Sequence, residues 1–216
     1  MLSRFGWLVA VVVAVGTVLV LGLNTTVRRA GTAGVALGPS SGEQVDSYVA
    51  RAARPLAGGP YWALVSLRAE LTASAAAAIP GPARLARVVL QVPIDRVQTA
   101  QLSIDLADQR DRAVDLQAAM RAAADQLQRI PAADDRAAAV TQVSVSRLRG
   151  DCTCVLAMLV HGSANELRVI AAQQSVRAVQ AAPAGTELRA LSVMPLLPEQ
   201  TAVVAPLLDD GPIPAP

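Results

Sequence analysis

The chain has 216 residues, 53% hydrophobic and only 2% aromatic, and all 19 of its basic residues are arginine. That length holds one domain with a sizeable core. The net charge of +2 comes from Arg4, Arg28 and Arg29 near the start, since the remainder sets sixteen arginines against seventeen acids. There is no basic stripe interleaved with aromatics, so no nucleic-acid partner is expected.

Residues 5–23 are an uncharged run of nineteen residues. At about 1.5 Å per residue, a helix of this length reaches across a bilayer core about 30 Å thick. Residues 1–23 are therefore read as a single-pass transmembrane helix, a signal anchor in contact with membrane lipid. The alternative is a cleaved signal peptide with its site at Gly31-Thr32-Ala33. Arg4 flanks one end and Arg28 and Arg29 the other. The short head places the soluble domain on the extracytoplasmic side of the cell membrane.

Residues 24–41 read as a linker, 42–194 as an α+β domain, and 195–216 as a Pro-rich tail lying over the surface or disordered. Ser40 and Glu43 have the spacing of a capping box, which predicts a helix running to about residue 56. Residues 61–71 alternate, with Ala63, Val65, Leu67, Ala69 and Leu71 on one face, which predicts a half-buried strand. Thr72 caps a short alanine-rich helix that ends at Pro80. Residues 86–92 and 98–106 alternate again and predict two more strands.

Ala113, Leu116, Met120, Ala123, Leu127 and Ile130 step by three and four, the seam of an amphipathic helix. A second helix is expected over 134–149, although its β-branched middle at 140–145 leaves a strand open there. Residues 152–160 are apolar on both faces, as in a central strand. Ser163 and Glu166 form a second capping-box pattern. Short strands follow at 176–181 and 188–193.

Two segments, 62–92 and 154–181, share the plan strand, helix, strand. Two such units in one antiparallel sheet make a ferredoxin-like sandwich, here with an inserted helical pair at about 107–149.

The stretch Val35-Ala36-Leu37-Gly38-Pro39-Ser40-Ser41-Gly42-Glu43, the segment Tyr48-Val49-Ala50-Arg51-Ala52 and the late Pro195-Leu196-Leu197-Pro198-Glu199-Gln200 resemble uncharacterised single-pass membrane proteins of actinobacteria. That resemblance implies no activity. Residues 160–180, a capped helix followed by Val176-Arg177-Ala178-Val179-Gln180, are similar to the end of subtilisin propeptide-type inhibitor domains. This second resemblance implies an extended protease-binding tail, but Pro183-Ala184-Gly185 intervenes.

Candidate chemistry is sparse. Cys152 and Cys154 are read as either buried free thiols or a disulfide, with a metal or redox pair as a third reading. In a regular strand their Cα atoms stand about 6.5–7 Å apart, at the edge of what a disulfide tolerates. His161, the single histidine, sits at a strand end. Asp134-Asp135 and Asp209-Asp210 are acidic pairs, the first at a helix start. The Arg-Asp alternation over 108–112 reads as a solvated helix face. No nucleophile elbow, phosphate loop or zinc-protease motif is present. No catalytic residue, cofactor or metal is expected. The expected role is a non-catalytic, membrane-tethered interaction or scaffold domain with a membrane or envelope protein partner. A small apolar-ligand sensor or carrier is the alternative, and a protease-inhibitor-like module a minor one.

Overall fold

The computed structural model describes residues 34–107 and 111–215. The apolar run at 5–23, and with it the expected membrane helix, lies outside the described residues. Among those described, no helix is long and apolar enough to cross a membrane.

The body is α+β. Its elements are β1 (Val35–Leu37), α1 (Val45–Ala52), β2 (Tyr61–Leu71), α2 (Ala73–Ala78), β3 (Arg84–Leu90), β4 (Leu102–Asp105), α3 (Arg112–Gln128), α4 (Asp135–Arg149), β5 (Val155–Gly162), α5 (Ala164–Ala171), β6 (Val176–Ala181) and β7 (Leu191–Val193). Five strands form one sheet in the order β4-β3-β5-β2-β6, and every neighbouring pair in it is antiparallel. The two strand-helix-strand units interleave, because β5 lies between β2 and β3 while β2 lies between β5 and β6. Helices α3 and α4 occupy the connection from β4 to β5.

Local signals place most of these elements. The Thr72 hydroxyl accepts from the Ala75 amide and starts α2. Asp111 accepts from the Ala113 and Val114 amides and starts α3. The Ser163–Glu166 pair forms a reciprocal capping box, with Glu166 Oε2 accepting from the Ser163 amide at 2.6 Å. Each such cap is worth about 1 kcal/mol.

One face of the sheet carries Val65, Leu67, Leu85, Val88 and Met158 against Leu116, Met120 and Ala123 of α3, Leu148 of α4 and Leu167 and Ile170 of α5. The other face is covered as well. Leu64, Leu156 and Leu159 pack on Leu37 of β1 and Leu191 of β7, and these two strands pair in parallel to make a second, two-stranded sheet. Beside them, Tyr48 and Val45 of α1 meet Ala178, Leu196 and Val204. The expected half-buried β2 is therefore buried on both faces along its middle, with Leu64 and Ser66 fully enclosed. Enclosing a leucine in this way is worth about 1.5–3 kcal/mol.

Gly38 makes the turn after β1 possible. Its φ is +128°, and a Cβ there would come within 1.7 Å of the Met194 carbonyl oxygen.

Several expectations are corrected. Residues 35–37, read as linker, are a strand of the fold. The Ser40–Glu43 pair closes a turn but does not start the helix: Gln44 is the N-cap, without a side-chain cap bond. The Glu43 carboxylate accepts from the Ser40 amide at 2.8 Å and also pairs with Arg51 at 2.9 Å. Strand β4 begins only at Leu102, because Gln98 and Thr99 turn to other partners. The helix expected over 134–149, by contrast, holds through its β-branched middle at 140–145, with Val143 and Val145 buried. The Pro-rich segment from 195 onward follows the first of its two expectations and lies over the body as a hydrogen-bonded strap.

Candidate functional site

The strap and the loop between β3 and β4 enclose an open cleft of about 510 Å³. The loop wall is held from behind. Arg147 donates to the Pro93 carbonyl at 2.7 Å, and the Thr99 hydroxyl donates to the Val92 carbonyl at 2.7 Å. At the loop tip, Val97 N–H bonds the Ile94 carbonyl, and Arg96 takes a left-handed φ of 53°.

The strap wall is held along its length. Arg177 of β6 donates to the carbonyls of Leu197 at 2.7 Å, Pro198 at 3.3 Å and also Gln200. Its guanidinium pKa is lowered by burial and then by the charge of Arg68. The strap then runs antiparallel to residues 42–45: Val45 N–H bonds the Ala202 carbonyl at 2.9 Å and Val204 N–H the Glu43 carbonyl at 2.9 Å. Further on, Asp210 pairs with Arg96, and Asp209 pairs with Arg136 at 3.2 Å. The Gly211 amide donates to the Arg96 carbonyl at 2.7 Å. A Cβ on Gly211 would come within 2.3 Å of the Asp95 carbonyl oxygen, so only glycine lets the strap close this tightly on the loop.

The walls of the cleft are largely apolar, formed by Ile94, Val97, Val203, Pro206, Leu207 and Leu208. Val203 and Leu208 are 39% and 61% exposed. Glu70, at the end of β2, and Glu199, on the strap, are carboxylates of the same lining. The Glu70 pKa is raised by burial, its own backbone works against the rise, and the Glu199 charge adds to it.

The residues singled out in the sequence lie elsewhere. Cys152 and Cys154 are joined by a disulfide with their Cα atoms 5.4 Å apart. This is closer than regular strand spacing allows, because β5 begins only at Val155 and both cysteines precede it. Cys154 is fully buried. His161 is near the far end of β5, roughly 23 Å along the strand from Cys154, so histidine and cysteines do not meet. His161 stands opposite Trp62 on β2, with ring centroids 4.5 Å apart. Among the described residues, no group of three or more His, Cys, Asp or Glu is placed to hold a metal.

Asp134 caps α4 through the Ala137 amide, and the Asp209-Asp210 pair fastens the strap. Residues 108–110 lie outside the described residues. The neighbouring Arg112 is no solvated charge: it donates to the carbonyls of Gly81 and Ala83 at 2.7 and 3.0 Å. After β6 the chain turns at Pro183–Thr186 and returns as β7, so a free tail does not follow β6.

Sequence reasoning missed the cleft. The available signal was the strap's own composition: Val203, Val204, Leu207 and Leu208 are too apolar for a solvated tail.

No family model, curated protein or solved structure matches the chain.

Proposed function

We propose that the chain is a membrane-tethered, non-catalytic recognition domain whose contact surface is the cleft between the 91–99 loop and the strap. The observation that carries this reading is the cleft itself: about 510 Å³, open to solvent, and walled by apolar side chains that include the exposed Leu208. Contiguous exposed apolar surface of this kind is characteristic of binding sites.

The tether reading rests on the uncharged run at 5–23. The Cys152–Cys154 disulfide suits the oxidising side of a membrane, which favours an extracytoplasmic body. The interleaved strand order supports a ferredoxin-like core, to which β1, β7 and the strap add a cover on the face opposite the helices.

A carrier of a small apolar ligand is the second reading. The cleft volume falls within the range of ligand pockets, about 300–1,000 Å³, but its open mouth favours a macromolecular partner.

The test is site-specific photo-crosslinking of the full chain in native membranes. A benzophenone side chain at position 208 should trap a discrete protein adduct. The same group at Ile130, which is exposed and not part of the cleft lining, should trap none. Equal adducts from both positions, or none from 208, would count against the cleft as the contact surface.

A further inference from the structure

We infer that the cleft seats an extended segment of a partner protein carrying a basic side chain between apolar ones. This inference rests on the reading of the cleft as the contact surface, and adds the conformation and chemistry of its occupant.

The first observation is a backbone edge. Gly42 to Val45 pair with Ala202 and Val204 of the strap, and Val203 stands opposite Gln44 between those bonds. In an antiparallel pair of this type, the N–H and C=O of the intervening residue point to the other side. Among the described residues, neither Val203 group has a hydrogen-bond partner. Residues 199–203 and 205–208 all border the cleft, not every second one. Such a wall exposes the run of a main chain, not just one side-chain face. An extended segment laid along it can bond to these groups by strand addition.

The second observation is charge. The lining holds three carboxylates, Glu70, Asp95 and Glu199, against one guanidinium, that of Arg96. Arg96 is already paired with Asp210. Arg177, outside the lining, donates to strap carbonyls and offsets part of the Glu199 charge, which leaves Glu70 and Asp95 as the less compensated carboxylates. The cleft is therefore net acidic within apolar walls. Its complement is an arginine or lysine whose stem lies on Ile94, Val203 or Leu208 while its head reaches the carboxylates.

The experiment is selection from a phage-displayed library of random octapeptides against the full chain in nanodiscs. Enriched peptides are then synthesised and their affinities measured by fluorescence anisotropy. The expected result is enrichment of arginine or lysine flanked by apolar residues. The double variant Glu70→Gln/Glu199→Gln should weaken these peptides at least tenfold, and Leu208→Glu, at an exposed position, should weaken them as strongly. Enriched peptides without a basic residue, or unaffected by the double variant, would overturn the charge assignment while leaving the cleft as the contact surface. Peptides whose binding survives Leu208→Glu would overturn the cleft reading as well. Absence of any enrichment would overturn the extended-segment occupant.

Discussion

The Ser66 hydroxyl, fully buried in the middle of β2, accepts a hydrogen bond from the Leu196 amide at 3.3 Å. This contact pins the start of the strap into the covered face of the sheet. The Tyr48 hydroxyl is buried near Ser66, and burial is the main cause of its raised pKa. The Ser66 hydroxyl offsets part of that rise, but no described group meets the Tyr48 hydroxyl in hydrogen-bonding geometry. The two hydroxyls should therefore respond to removal in opposite senses. Ser66→Ala should cost about 1–3 kcal/mol, because the Leu196 amide loses its acceptor. Tyr48→Phe should be neutral or stabilising by up to about 1 kcal/mol, because an unsatisfied polar group disappears. Thermal unfolding of both variants decides this, and a large loss in Tyr48→Phe would refute the second half.

Arg177 holds three strap carbonyls with one side chain. Arg177→Met keeps much of the stem but removes the donors. It should destabilise the body by about 1–3 kcal/mol and expose residues 197–208 to proteases before the sheet unfolds. Limited proteolysis with fragment mass mapping would show the first cuts. Cuts elsewhere would deny Arg177 this fastening role.

Glu70 predicts a pH dependence of one sign. Its folded-state pKa is raised above the ordinary 4.5, chiefly by burial. The unfolded chain ionises first, so stability falls as pH rises from about 4.5 through the raised value and then levels off. Glu70→Gln removes that penalty. Its Tm should match the parent at low pH and exceed it by roughly 1–2 °C near neutrality, Glu70 being only partly buried. A Tm difference independent of pH would contradict the assignment.

The far end of the strap should behave in the reverse way. Asp209 has its pKa lowered by the Gln98 amide and then Arg136, and Asp210 by Arg96. Groups of this kind stabilise above the ordinary aspartate value of 3.8 and lose that contribution as pH falls through their lowered values. Protection of the Gln98 and Gly211 amides, taken relative to their intrinsic exchange rates, should fall below about pH 4 while that of β5 does not. A uniform loss of protection would mean that the strap and the sheet open together.

The disulfide closes a loop of minimal length, with a sequence separation of 2. Loop-closure entropy then accounts for only roughly 1.5 kcal/mol. Reduction should lower Tm by about 3–6 °C without unfolding the protein. A scan with and without reductant measures this. Complete unfolding would show that the bridge does more than restrict the unfolded chain.

The helical half of this structure was legible because its signals are local. Thr72 and the Ser163–Glu166 pair mark helix starts within four residues, and the seam from Leu116 to Leu127 repeats every three or four. The two strand-helix-strand units were also readable, from their repeated order of elements. The covered face was not. Strands β1 and β7 are three residues each, too short to show a period. The strap owes its position to single long-range contacts, such as Arg177 to Leu197 and Ser66 to Leu196, which leave no spacing in the sequence. The cleft forms between two such irregular segments. Its lining could be suspected from the apolar Val203 and Leu208 but not placed. Cys152 and Cys154 were misjudged as strand residues because apolar character begins before the ladder does.

The pairing of Val35 with Leu191 also sets an order of events during synthesis. Non-local pairing of this kind is slow to form. The first strand of the body emerges early and waits for a partner more than 150 residues behind it. Until β7 and the strap leave the ribosome, Leu64, Leu156 and Leu159 lack the cover they have in the finished fold. A nascent chain would therefore carry an exposed apolar sheet face until its last stretch is made, and would depend on a holding chaperone during that interval. Chains stalled short of residue 191 should be cleared rather than accumulate as a smaller folded domain.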